Sequence, residues 1–155
     1  MRRLLAVALC AVFLLGSAGT VAADDEDAFV NPEICALFDG GSYQVIPGTI
    51  VHANFGWGSK SYGQEKAFLN TVEFALTVDG NPVDITPYRS TTDKSPKFNV
   101  VFWDLVVATL DAGDAVTITL SEVFKQPIYD GFFHYPRGPY NGSPWTCVVT
   151  AVAPS

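Results

Sequence analysis

The residues able to do chemistry in this 155-residue chain are few, and their spacing narrows what they can do. Cys10, Cys35 and Cys147 are the cysteines, and His52 and His134 the histidines. They form no His-x-His, His-Glu-x-x-His or Cys-x-x-Cys pattern of the kind that holds zinc. Ser42, Ser59 and Ser143 each follow a glycine, yet none lies in the Gly-x-Ser-x-Gly turn that exposes a hydrolase nucleophile. Asp79, Asp84, Asp111 and Asp114 sit in turn-forming stretches, where Asp is favoured for backbone reasons. Asp79-x-Asn81 with Asp84 has some calcium-loop character but lacks the acidic closing ligand of an EF-hand. A glycosidase needs only two carboxylates across a cleft, and nothing in the spacing singles out such a pair. The expectation is therefore a non-enzyme with no cofactor and no metal.

The segment from Gly131 to Trp145 is of another kind, with Phe132, Phe133, Tyr135, Tyr140 and Trp145 interleaved with Pro, Gly, His134 and Arg137. Aromatic faces on such a loop can stack on sugars or on partner side chains, with His134 and Arg137 supplying hydrogen bonds. The same rings can equally plug the end of a fold, as long self-packed loops do. Both readings stand at this point. The candidate binding surface comprises Phe133, His134, Tyr135, Arg137 and Tyr140, joined by a second aromatic pair, Trp57 and Tyr62. Asn141-Gly142-Ser143 matches a glycosylation acceptor, but Pro144 follows it.

The compartment follows from the first 23 residues. Met1-Arg2-Arg3 is a positive start, Leu4–Leu15 a nearly unbroken apolar run, and Val21-Ala22-Ala23 a small-residue cleavage site before Asp24-Asp25-Glu26-Asp27. That is the layout of a secretory signal peptide, too short to span a bilayer. Cleavage after Ala23 removes Cys10 and leaves Cys35 and Cys147, which are expected to pair in an oxidising compartment. Two of the nine Lys and Arg lie in the leader while all 16 Asp and Glu follow it, which leaves a net charge of about −9 against −7 for the whole chain. Such a surface disfavours nucleic acid and anionic membranes. A secreted or extracytoplasmic monomer follows, not inserted in a membrane once the signal is cleaved. It divides into the signal (1–23), an acidic segment carrying Cys35 (24–38) and a β-sandwich domain (39–155).

The elements that must position these residues read as strands. Val51, Ala53, Phe55 and Trp57 alternate with His52 and Asn54, and Val72, Phe74, Leu76 and Val78 alternate with Glu73, Ala75 and Thr77. In 115–124, Val116, Ile118 and Leu120 point inward and Thr117, Thr119 and Ser121 outward. Residues 99–107 are more continuously apolar and predict a central strand buried on both sides. Asp79-Gly80 predicts a tight hairpin and Asp111–Asp114 another turn. Ser61 with Gln64 forms a capping box for one helical insert at 64–70, bridging two sheets.

Taken in order, the features resemble an immunoglobulin-like domain of secreted bacterial proteins. The carriers are the Pro47-Gly48 turn into an aromatic strand ending Phe55-Gly56-Trp57-Gly58, the short helix, the 74–80 hairpin, the 110–114 lead-in and a last strand bearing Cys147. The resemblance implies an all-β, antiparallel immunoglobulin-like sandwich with one short helix, and no catalytic residues. It differs from true immunoglobulin domains, whose disulfide joins two core strands with a Trp packed on it. The functional expectation is a non-catalytic secreted or cell-surface domain, structural or binding an unknown protein partner. The alternative is a carbohydrate-binding module using the aromatics of residues 132–145.

Overall fold

A computed structural model describes residues 27–91 and 98–153, so the signal-peptide reading lies outside the described residues. The order is β1 (Ala28–Val30), α1 (Pro32–Phe38), β2 (Ser42–Val45), β3 (Ile50–Ser59), α2 (Tyr62–Thr71), β4 (Val72–Val78), β5 (Asn81–Val83), β6 (Arg89–Thr91), β7 (Asn99–Thr109) and β8 (Ala115–Phe124). Three short strands follow, β9 (Ile128–Tyr129), β10 (His134–Tyr135) and β11 (Gly138–Pro139), and then the last strand, β12 (Trp145–Ala151). One sheet runs β1-β3-β7-β6 and the other β2-β12-β8-β4-β5, with β11 also on β8 and β9 paired to β10.

Period-two patterning built these sheets as expected on their inner faces. Val51, Ala53, Phe55 and Trp57 of β3 and Val101, Trp103 and Leu105 of β7 are buried, facing Leu76, Val116, Ile118, Leu120 and Phe124 from the other sheet. Phe74 joins the two layers, with its ring 5.5 Å from Phe55 and 4.7 Å from Trp103. The strand at 99–109 departs from expectation. Its odd positions from Asn99 to Leu105 are buried, but Val100, Phe102 and Asp104 are half-buried and Val106 is exposed. Solvent reaches its outer side, and apolar β-branched residues are tolerated there as they are on most protein surfaces.

Turn chemistry explains the connections. Asp79 and Gly80 both take positive φ, 49° and 77°, as a two-residue hairpin of this twist requires, and Val78 pairs with Asn81 across it. Ser61 caps α2 by accepting from the Gln64 N–H, and its hydroxyl donates back to Gln64 Oε1 at 2.9 Å. This helix carries the chain from the first sheet to the second.

Two features correct the antiparallel, single-helix expectation. The protein is predominantly β, but both main sheets are mixed, since β1 runs parallel to β3 and β2 parallel to β12. A second helix, α1, lies within the acidic segment that carries Cys35, where no helix was expected. Asn31 caps it by accepting from the N–H groups of Glu33 and Ile34, and Pro32 opens it, where its missing donor costs nothing. The helix connects β1 of one sheet to β2 of the other. That crossover lets both N-terminal strands lie parallel to their neighbours rather than fold back as hairpins. Cys35 on α1 and Cys147 on β12 form the expected disulfide, with Cα atoms 5.7 Å apart.

Candidate functional site

The aromatic segment has structure of its own, which answers its unusual length. Asp130 organises it. The Asp130 carboxylate accepts from the N–H groups of Phe132 and Phe133, both at 2.7 Å, and from the Tyr135 hydroxyl at 3.0 Å. Its carbonyl accepts from the Lys60 N–H at 2.7 Å, tying the β9–β10 hairpin to the end of β3. Burial, and after it the bond to Asp130, keeps the Tyr135 hydroxyl protonated well above its ordinary range.

Gly131 makes that approach possible. Its φ of 100° is left-handed, and a Cβ there would run into the side chains of Lys60 and Gln64. A Gly131→Ala variant is expected to lose about 2–3 kcal/mol in urea unfolding, more than an ordinary Gly→Ala change. Wild-type stability in that variant would mean the hairpin can shift away from α2 at no cost.

The segment sorts its rings into two groups. Trp57, only 6% exposed, stacks on Phe68 at 4.5 Å and meets Tyr135 and Tyr140 edge-on at 4.8 and 5.2 Å. Trp145 closes the cluster against Tyr140 at 5.7 Å. Trp57, Tyr135 and Tyr140 are thus brought together, with interplanar angles of 67–73°, as an interlocked plug and not as one flat face. Phe132 and Phe133 are 50% and 47% exposed, and Phe132 lies 6.2 Å from exposed Phe98. His134 is exposed and stacks on exposed Tyr129 at 4.4 Å, while Arg137 is exposed further along the loop. Tyr62 is exposed on the first turn of α2.

Beneath the loop lies a residue the periodicity should have flagged. Val116, Ile118, Leu120, Glu122 and Phe124 form one inward row of β8, and Glu122 is its single polar member. It is 5% exposed, and its Oε1 has no hydrogen-bond partner. Burial, and secondarily the carboxylate of Glu33, pushes its carboxyl up to about 8. Burial also raises Glu33, opposed by the hydrogen bond that Asn141 Nδ2 donates to Glu33 Oε1 at 3.0 Å. The loop is laced over this strand: the Tyr140 N–H donates to the Glu122 carbonyl at 2.9 Å, and the Glu122 N–H to Ser143 Oγ at 2.7 Å. Glu33 comes from α1, which the disulfide holds against β12.

Comparison with known proteins gives no matching family model, no matching curated protein and no matching solved structure.

The remaining candidates take structural places. His52 Nδ1 lies 2.8 Å from Asp104 Oδ1 and its Nε2 3.7 Å from Asp27 Oδ2, with Phe29 packed on the ring at 4.7 Å. It fastens β1 against β3 at the edge of its sheet. Asp79 accepts from the Thr117 N–H, Asp84 from Thr86 and Asp114 from Asp111, so these carboxylates shape turns. Among the described residues, no three His, Cys, Asp or Glu side chains come together as a metal site. Nor is any described helix long and apolar enough to cross a membrane.

Proposed function

We propose that this chain is an exported, non-catalytic domain of immunoglobulin-like architecture that binds a protein partner through the exposed side of the β9–β10 hairpin. The carrying observation is the division of the aromatic segment. Tyr135, Tyr140 and Trp145 hold the hairpin from below, and Phe132, Phe133 and the Tyr129–His134 stack face outward beside Phe98. Exposed aromatics on a rigidly backed loop are what protein interfaces use as anchors. The disulfide fits an oxidising compartment, and the acidic surface favours a partner with basic residues around its contact patch. The carbohydrate alternative is weakened by the mutual tilt of Trp57, Tyr135 and Tyr140, which leaves them without a shared flat face for a sugar ring.

A photoreactive phenylalanine analogue placed at Phe133 in the exported chain tests this. Irradiation is expected to give one discrete adduct from position 133 and none from Glu73, an exposed β4 residue. Equal labelling at both positions, or none at 133, overturns the proposal. On a glycan array, saturable binding abolished by Phe133→Ala would replace the protein partner with a carbohydrate.

A further inference from the structure

The turn that leads the aromatic segment into β12 is built on Asn141-Gly142, the one place in the chain where asparagine precedes glycine. Asn31 and Asn81 precede proline, whose nitrogen carries no hydrogen, and Asn54, Asn70 and Asn99 precede Phe, Thr and Val. Asn141 and Gly142 are both exposed and both left-handed, with φ of 43° and 83°. The Ser143 N–H closes the turn on the Tyr140 carbonyl at 2.8 Å. The Gly142 N–H donates to no group among the described residues, and nothing lies within 4 Å of where a Cβ would stand. Around it, Asn141 is tied on both sides. Its Nδ2 donates to Glu33 Oε1 of α1 at 3.0 Å, and its carbonyl accepts from Trp145 Nε1 at 3.2 Å.

We propose that Asn141 is a site of spontaneous deamidation, and that this modification releases the loop before β12 from α1. The nucleophile is the Gly142 backbone nitrogen, which gives its proton to solvent and bonds to Asn141 Cγ. The Cγ–Nδ2 bond breaks, and the amide nitrogen takes up a proton and leaves as ammonia. A cyclic succinimide remains. Water then adds to either of its carbonyls, breaking that carbon's bond to the Gly142 nitrogen and giving isoaspartate or aspartate. A side chain on the following residue obstructs the first attack, and a proline there forbids it, so glycine singles out Asn141. The bond to Glu33 is exposed to solvent and leaves the attacking nitrogen free.

Both products oppose the contacts that hold the turn. A carboxylate at 141 has no N–H for Glu33 and sets like charges at hydrogen-bond distance. The Asn141 amide is also the group that offsets burial of the Glu33 carboxyl, and the modification reverses its influence. Isoaspartate further adds a carbon to the main chain, which displaces the carbonyl held by Trp145 and strains the Tyr140–Ser143 closure. Ser143 Oγ accepts from the Glu122 N–H at 2.7 Å, so the disturbance reaches β8.

The test ages the purified protein, its disulfide intact, at mildly alkaline pH beside a synthetic peptide of residues 138–147 as the clock. Peptide mapping resolves aspartate from isoaspartate. Conversion is expected at Asn141, while peptides bearing Asn54, Asn70 and Asn99 stay unmodified. Anion exchange then separates the more acidic aged fraction for hydrogen exchange against fresh protein. The Ser143 and Glu122 amides should exchange faster in that fraction, with those of β3 unchanged. Asn141→Asp, which tolerates a left-handed φ as asparagine does, should reproduce that local acceleration. The proposal is overturned if Asn141 is intact when the free peptide has fully converted, or if Asn54 or Asn70 converts equally. Unchanged exchange at Ser143 and Glu122 in the modified fraction overturns it as well.

Discussion

Replacing Cys35 and Cys147 together by alanine is expected to lower the free energy of unfolding by roughly 4 kcal/mol. The bridge spans 112 residues, and cross-linking a loop near that length removes about 4–5 kcal/mol of chain entropy from the unfolded state. Both half-cystines are buried, so removing the sulfur atoms adds a small packing loss. The melting temperature should fall by on the order of 10–20 °C. The loss should also be local. α1 has Ile34, Leu37 and Phe38 exposed, so much of its attachment to β12 runs through Cys35. Hydrogen exchange at the amides of residues 35–41 is therefore expected to accelerate before that of β3 or β8. Uniform acceleration, or a loss below about 1 kcal/mol, would show that packing alone holds the helix. Intact mass with and without reductant establishes the bond in the purified protein.

The second large effect runs in the opposite direction. Glu122→Gln should stabilise the protein at neutral pH. The Glu122 carboxyl titrates at about 8 when folded, against 4.5 as an unperturbed group. The folded state therefore holds a proton that the unfolded state has already released across this window. Stability associated with Glu122 is complete below pH 4.5, declines as pH rises, and is lost by pH 8. At pH 7 the gap corresponds to about 3 kcal/mol. Urea melts of wild type and Glu122→Gln should coincide near pH 4 and diverge steadily up to pH 8. A pH-independent difference would mean that Glu122 finds a partner on ionisation. Glu33, raised by burial as well, reinforces the same slope.

The pattern of inward and outward residues was legible for β3, β4 and β8 because alternation is a local property written into consecutive side chains. The Asp79-Gly80 hairpin and the Ser61–Gln64 cap were legible for the same reason. The pairing of Cys35 with Cys147 followed from counting, once the leader was set aside. The parallel partners of β1 and β2 were not legible, since strand direction depends on which edge a crossover reaches. α1 was missed although Asn31-Pro32 before Glu33 is a helix-start signal. Of the candidate surface, Trp57, Tyr135 and Tyr140 proved to be the hairpin's support, whereas Phe133, His134, Arg137 and Tyr62 are exposed. Ring type cannot separate these classes, because the same aromatic serves as anchor or as plug. Glu122 was within reach. Its parity with Val116, Ile118 and Leu120 placed it inward, and a charged residue in an apolar row is a functional signal.

The position of β12 has a consequence in time. It lies between β2 and β8, carries Cys147, and follows every other described strand in the sequence. Until it arrives, β2 has no hydrogen-bonded neighbour in its sheet, the bridge cannot close, and α1 lacks the surface it rests on. α1 and β2 thus wait for β12, and assembly is governed by contacts of high sequence separation, which form slowly. A chain built this way stays open until β12 has emerged, and its N-terminal elements lock together with that strand.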